Sequence, residues 1–550
     1  MKKNLWNIIK NKKDETLGDI VNSVIERCAK EIYGDEIISS INIPIPEAKG
    51  KYGDLSSEIA FKISSKVKKN PKVIAEEIAK KMSESTADFS TEAISGYLNL
   101  KFSESFLVRF IKDKLLLNEP RLRCLDGLKI LVEFVSANPT GPIHIGHGRI
   151  AAVGTTIANL LKYCGAKVDT EFYINDRGNQ IESLGRSIKA YKTKKEDDAD
   201  IEYRGEYVKE LAEKIDIVNG LTFSDIGFRA SKIVMENIKK SLSDFGTSFD
   251  NFVSETKIVE DKYVVRSLEK IKEFITKVEN TTFFMSSKFG DEKDRVVIKS
   301  NGELTYFASD IGYHLHKIER GYDMLINIWG ADHHGYIKRM ESALSAIGFD
   351  TSNFFVVLVQ MVNLLKDGKS LQMSKREGTY ITLDYLLNTI GESGKDVARF
   401  LYLTKSPDSH LDFDLDLALK KTEENPVFYV QYAHARISSV FKEAEKRGFK
   451  TDNILELDFK ITETEEEREI LSYMAMFLDE VRKSALGFDP HLLTFYLSNL
   501  ASMFHSYYHT TKILVEDEQT RNWRLFLIYS TAKVLKEGLT LLGVSAPERM

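Results

Sequence analysis

Apolar residues recur three and four positions apart from Leu17 to Ile32 and again from Asn70 to Met82, which predicts two amphipathic helices. Short strand-like runs surround Ile41 to Ile45 and Gly96 to Phe102, so residues 1–118 read as a separate α+β unit. The pattern then changes. Lys129 to Val135 is an apolar run that ends in the breaker-rich segment Ser136 to Pro142. A helix is predicted from Gly146 to Tyr163, with Gly165 as its stop, and a second strand from Lys167 to Asn175. Strand, loop, helix and strand in this order open a parallel nucleotide-binding sheet, with further strands expected at Met324–Trp329 and Phe354–Val359. Residues 180–300 are charge-rich and mixed and read as an insertion, Lys192 to Asp200 being a solvated surface segment. From Asp396 onward the pattern is almost wholly helical, most clearly at Ile470–Val481 and Leu492–Tyr508. Residues 119–395 are therefore expected to form the sheet domain and 396–550 a helical bundle.

Composition narrows the class without choosing a function. A chain of 550 residues exceeds what one hydrophobic core serves, which agrees with three domains. The longest apolar run, Phe354 to Leu365, is broken by Gln360 and Asn363, so no membrane span is expected. Met1 to Lys13 has neither an apolar core of signal-peptide length nor a small-residue cleavage site, and a cytoplasmic location is expected. Cys28, Cys124 and Cys164 are odd in number and far apart, which argues for neither a disulfide nor a zinc site. The net charge of −5 gives no sign of a nucleic-acid partner, but a large enzyme can carry a local basic face inside an acidic total. Any such partner has to be argued from motifs.

The first motif is Ala137-Asn-Pro-Thr-Gly-Pro-Ile-His-Ile-Gly-His147, placed where the first strand gives way to the first helix. Ligands of open α/β sheets bind at this carboxyl edge, and a helix start attracts phosphate through its N–H groups and dipole. His144 and His147 straddle that start, where donors could stabilise charge that builds up on an attacked phosphate. A lone histidine here would more often be a cap. The second motif is Leu371-Gln-Met-Ser-Lys-Arg-Glu-Gly378, a polar stretch flanked by glycine, from which Lys375 could close over the β- and γ-phosphates and stabilise leaving pyrophosphate.

Together the two motifs resemble the signature pair of the class I aminoacyl-tRNA synthetases, and the words around them resemble the arginine-specific branch over nearly the whole chain. Those words are Tyr52-Gly-Asp-Leu55, Gly96-Tyr-Leu-Asn99, Val132-Glu-Phe134, Tyr203-Arg-Gly-Glu-Tyr207, Trp329-Gly-Ala-Asp-His-His334, Asp396-Val-Ala-Arg399, Asn425 to Arg436 and Ala546 to Met550. The resemblance implies a Rossmann-like parallel-sheet catalytic domain, an N-terminal α+β domain contacting tRNA, and a C-terminal all-helical anticodon-binding bundle. It implies activation of L-arginine by ATP with Mg2+ and transfer to tRNA(Arg); separately, a monomer that holds no structural metal is expected. Activation is implied to require tRNA. For ATP it points to His144, Gly146, His147, Gly330, His333, Met373, Ser374 and Lys375. For arginine it points to Glu133, Ser136, Asn138 and Asp332 at the α-groups, and to Tyr306, Asp310 and Glu255 at the guanidinium, a planar cation that asks for carboxylates. One departure is Gln372, where the family often has lysine. Residues 180–300 are too short for a large hydrolytic editing domain, so no editing is expected.

Some alternatives stay open at this stage. Asp310 could instead cap a helix running from Ile311 to Glu319, and Asp332-His-His334 could hold a metal. The chain could also be the glutamine or cysteine enzyme, a binding-only paralogue, or a nucleotidyltransferase of the same fold. The cysteine enzyme would need a zinc-binding cysteine set, and a binding-only protein has no need of His144, His147 and Lys375 together.

Overall fold

The computed structural model describes residues 5, 16–41, 46, 53–116, 122–193, 201–218, 220–371, 381–461 and 464–550. The strand expected at Ile41–Ile45 and the segment Lys192–Asp200 fall largely outside these residues.

The N-terminal unit follows its periodicity. Leu17–Tyr33 is a helix that buries Leu17, Val21, Ile25 and Cys28 along one stripe, and Thr16 caps it by accepting from the Asp19 N–H at 3.2 Å. Pro71–Ser85 begins with a proline at its first turn, and Asn70 accepts from the Lys72 N–H at 2.9 Å. Pro71–Ser85 packs on an antiparallel sheet in which Tyr97–Phe102 lies between Leu55–Ser57 and Phe89–Ile94, and Leu17–Tyr33 packs on Pro71–Ser85. Asp54 joins this unit to the C-terminal helices. It accepts from Arg468 at 2.7 and 3.1 Å, from Ser472 at 2.7 Å and from the Phe102 N–H at 2.7 Å, and it is buried. Asp54→Ala is expected to cost about 3 kcal/mol, because Arg468 keeps only Glu104 and a carbonyl as partners. Faster amide exchange in Tyr97–Phe102 would measure that loss, and unchanged exchange would contradict it.

The central sheet has five parallel strands: β1 Lys129–Glu133, β2 Lys167–Ile174, β3 Asn251–Ser254, β4 Met324–Gly330 and β5 Phe354–Val359. Their order is β5-β4-β1-β2-β3, so the strand order reverses between β1 and β4 and a crevice opens at their carboxyl ends. The helix Ile145–Tyr163 that follows β1 is buried on nearly every side. Its Gly154 lies against Phe134, where an added Cβ would come within 2.3 Å of the ring, so only glycine fits.

Two sequence expectations need correction. Residues 180–300 are not an insertion throughout, because Asn251–Ser254 is the edge strand of the sheet itself; four residues beside Ser and Asp carry too short a pattern to read as a strand. The same stretch also supplies helices Asn179–Lys192, Glu206–Lys214 and Phe223–Asp244 and an antiparallel unit of Ile275–Val278, Thr281–Phe284 and Arg295–Ile298. Beyond Asp396 the chain is almost wholly helical, as its period implies, the exception being Leu411–Asp414, which pairs in parallel with Val362–Lys366. The continuous helix read over Ile470–Val481 is two helices, Glu465–Ala475 and Phe477–Gly487. The remaining C-terminal helices are Pro426–Lys446, His491–Thr510 and Glu518–Leu542. No helix among the described residues is long and apolar enough to cross a membrane.

Candidate active site

The two histidines of the first motif sit at the start of the Ile145–Tyr163 helix and cap it reciprocally. His144 Nδ1 accepts from the Gly146 N–H at 3.1 Å, His147 Nδ1 accepts from the His144 N–H at 3.3 Å, and the rings stack 3.8 Å apart. Capping does not compete with a phosphate role, because the interaction that caps the helix also fixes both rings at its positive end. Ile143–Ile145 pairs with 381–383, the residues that follow the second motif: the Ile145 N–H donates to Ile381 at 3.2 Å and the Leu383 N–H to Ile143 at 2.9 Å. On the other side of that motif the Leu371 N–H donates to the Leu364 carbonyl at 2.9 Å. Gln372, Met373, Ser374 and Lys375 lie outside the described residues. His144 and His147 also line a cleft of about 370 Å³, together with Asn138, Thr140, Tyr203 and Arg204.

Next to this cleft the chain leaves β1 through a tight kink. Val135 and Ser136 both have positive φ, 68° and 40°, a conformation that costs on the order of 1–3 kcal/mol for a non-glycine residue. The kink lets Ser136 Oγ reach back to Glu133 Oε1 at 2.9 Å and accept from the Tyr173 N–H at 3.1 Å. Glu133 is buried, and its other oxygen accepts from the buried Lys317. Asn138 is exposed and accepts from Asn175 at 3.0 Å.

Asp310 is not a cap. Its helix begins at Tyr306, with Thr305 as the capping residue, so Asp310 lies one turn inside and Tyr306 shares its face. Tyr336 donates to Asp310 Oδ2. Burial pushes the Asp310 carboxyl up to about 7, with Glu255 and Glu133 adding repulsion and the Tyr336 hydroxyl working against the rise. Glu255 is buried at the start of Glu255–Glu260, directly after β3, and its Oε2 has no hydrogen-bond partner among the described residues. Burial raises its pKa as well. The Tyr173 hydroxyl is likewise buried and unpartnered, and repulsion from Glu255 and Asp310 adds to the burial that raises it. The result is a pocket with two carboxylates in electrostatic contact and two polar atoms that lack partners. Such a pocket suits a cation with several N–H donors.

The third cluster is looser. Gly330 ends β4, and Asp332 and His333 are exposed with their nearest oxygen and nitrogen 3.8 Å apart. Among the described residues no group of three or more metal-ligating side chains occurs. Sequence reasoning missed Tyr173, His314, Lys317, Asn327 and Tyr336. Two signals were available: Asp310, His314 and Lys317 make a polar stripe along an apolar helix, and Asn327 interrupts an apolar strand.

Comparison with known proteins follows the same order along the chain. Residues 15–102 match the arginyl tRNA synthetase N terminal domain, 112–400 the catalytic domain of class I tRNA synthetases (R), and 430–550 the DALR anticodon binding domain. An arginine–tRNA ligase of Aquifex aeolicus is 39% identical over 97% of this chain and 100% of its own length. This chain belongs to the arginine–tRNA ligase family. A second arginine–tRNA ligase, from Carboxydothermus hydrogenoformans, is 38% identical over 97% of this chain and 98% of its own. The arginyl-tRNA synthetase of Thermus thermophilus, 22% identical, shares the fold with a TM-score of 0.76 over 97% of this chain.

The words that resemble the arginine–tRNA ligase family in the C-terminal part converge on one spot. Asp396 accepts from Gln431 Nε2 at 2.9 Å, from the Ser545 N–H at 3.2 Å and from the Ser545 hydroxyl. His434 bonds the Pro547 carbonyl at 2.9 Å. Arg399 is fully buried and donates to carbonyls of Leu542 at 3.1 Å and Phe245 at 3.2 Å, while Arg149 donates to carbonyls of Gln360, Ser406 and Ser409 at 2.8–2.9 Å. Burial lowers each guanidinium to about 10. In this member of the arginine–tRNA ligase family the catalytic sheet, the hinge and the bundle thus share buried arginines.

Proposed function

We propose that the chain joins arginine to tRNA(Arg) in two steps. A carboxylate oxygen of arginine attacks the α-phosphorus of ATP, the bond to pyrophosphate breaks, and arginyl-adenylate forms. A hydroxyl of the terminal ribose of tRNA then attacks the arginyl carbonyl, and AMP leaves. The observation that carries this reading is the desolvated pair of carboxylates, Asp310 and Glu255, in the same sheet domain as the histidine-capped helix start. Asp310, Glu255 and Tyr306 take the guanidinium; Glu133, Ser136, Asn138 and Asp332 take the α-groups. His144, Gly146 and His147, with the helix dipole, face the phosphates; Gly330 and His333 face the nucleoside; Met373, Ser374 and Lys375 close the phosphate end. ATP enters as its magnesium complex, the ion being part of the substrate.

Residues 1–118, 119–395 and 396–550 act as the tRNA-contacting, catalytic and anticodon-binding domains. The chain is expected to act as a monomer, and the use of ATP and tRNA together with three buried free cysteines supports a cytoplasmic location. The antiparallel unit of 275–298 is small, which supports the absence of editing. An aminoacylation assay that offers all twenty amino acids with total tRNA tests the reading: arginine alone is expected to be charged, and charging of another amino acid, or of none, would overturn it.

Arginine activation is expected to require tRNA. Asp396, Gln431 and Ser545 tie the hinge to the bundle, so free energy from tRNA binding reaches the catalytic half only if the two arrangements of this hinge differ in affinity for tRNA. Pyrophosphate exchange should therefore be at background with arginine and ATP alone and rise when tRNA is added. Equal exchange in both conditions would mean the site is preassembled.

A further inference from the structure

The helix that carries Asp310 is fastened to the sheet by a chain of buried polar groups outside the expected site. Asn327 lies directly beside Glu133 in the parallel pairing of β4 with β1, so the two side chains leave the same face of the sheet. Lys317 Nζ joins them, donating to Glu133 Oε2 and, at 3.0 Å, to Asn327 Oδ1. A lysine only donates, so the remaining end of the amide is its NH2, and this donates to His314 Nε2 at 3.0 Å. His314 must then carry its proton on Nδ1, which donates to the Asp310 carbonyl at 2.8 Å. Burial and the Lys317 charge keep this imidazole neutral, as the pattern requires. Lys317, Asn327 and His314 are 0%, 1% and 3% exposed, so no water competes for these roles.

We propose that Lys317, Asn327 and His314 are positioning residues that set the distance between the two ends of the arginine site and so select for side-chain length. The inference rests on the reading of Glu133 and Asp310 as those ends. A helix advances about 1.5 Å per residue, so Asp310 and Lys317 are separated by about 10 Å along the axis. A shift of the helix along its axis by the rise of one residue, about 1.5 Å, would move Asp310 by about one carbon–carbon bond, the difference between neighbouring homologues of arginine. Two bonds at different heights, from Lys317 and His314, resist that shift where one would leave a pivot.

The test measures kcat and KM for L-arginine and L-homoarginine, together with the ATP KM, in the full chain with tRNA. One added methylene is ordinarily discriminated about 10–200-fold. His314→Leu removes both bonds at the middle of the chain yet keeps the Lys317–Glu133 ion pair. It is expected to lower the preference for arginine over homoarginine about tenfold, mainly through the arginine KM, with the ATP KM unchanged. His314→Gln, which keeps one donor and one acceptor, should restore most of the preference. An unchanged preference in His314→Leu overturns the proposal. So does a parallel loss for arginine, homoarginine and ATP that His314→Gln does not repair. If His314→Leu does not fold, Asn327→Leu decides by the same ratio, since it removes the acceptor for Lys317 and the donor to His314 Nε2 while the Lys317–Glu133 ion pair stays. Asp310→Asn tests the underlying reading separately: an unchanged arginine KM there means that the pocket itself is misassigned, whatever the length preference shows.

Discussion

Lys375→Ala is expected to slow arginyl-adenylate formation by about two to three orders of magnitude, the scale of a transition-state contact worth roughly 3–4 kcal/mol. Pyrophosphate carries charge that grows as its bond to the α-phosphorus breaks, and a lysine ammonium is a compact charge that can follow it. Lys375 itself lies outside the described residues, but the chain around it is anchored at both ends. Leu371 is bonded to Leu364, and 381–383 is paired with Ile143–Ile145, so the chain resumes beside the capping histidines. Arginine binding should change little, because the described groups that face Asp310, Tyr336 and Glu255 among them, come from other segments. Single-turnover adenylate formation with tRNA present measures the effect. A rate near that of the unmodified protein would remove Lys375 from the mechanism.

Asp310→Asn should raise the arginine KM by about two to three orders of magnitude while the ATP KM holds. Removing one partner of a desolvated ion pair costs about 3–5 kcal/mol, because the other charge is stranded. Asparagine keeps an acceptor for the Tyr336 hydroxyl, so the helix and its neighbours are expected to remain in place. The same residue gives a pH dependence with a definite sign. Burial raises its carboxyl to about 7 in the empty pocket, so above that pH it is ionised and ready for a cation. Below it, arginine has to displace a proton, and the arginine KM should climb towards tenfold per pH unit as the pH falls. Asp310→Asn should abolish this slope. If the substitution left KM flat, Glu255, with its unpartnered Oε2, would be the next guanidinium partner to test.

Local chemistry made much of the molecule legible before any coordinates. The Asn70-Pro71 helix start, the glycine stop after Tyr163, and the run of strand, loop and helix that places His144 and His147 all depend on residues within a few positions of one another. Such features are written in capping, φ preference and hydrophobic period, which act over one or two turns. Asp310 and Tyr306, by contrast, came forward only through the family resemblance, and the local pattern left open a helix start at Ile311 where Thr305 is the cap. β3 escaped because four residues at a sheet edge carry too short a period, and the helix at 470–481 was over-extended because both of its halves share the bundle core.

What the sequence by itself determined, then, is which segments form helices and strands, which family the motifs resemble, and which side chains could meet ATP and arginine. The tertiary structure decided which of those side chains share a pocket. Glu255 meets Asp310 only because β3 lies at one edge of the sheet while the Tyr306–Glu319 helix crosses over its face. Glu133 sits beside Asn327 only because β1 and β4 are neighbours in the sheet, although almost two hundred residues apart in sequence. Lys317, His314 and Asn327 looked like ordinary polar interruptions of apolar segments until burial removed water as a partner. Desolvation and long-range strand pairing are properties of the assembled fold, and together they turn scattered polar residues into one connected site.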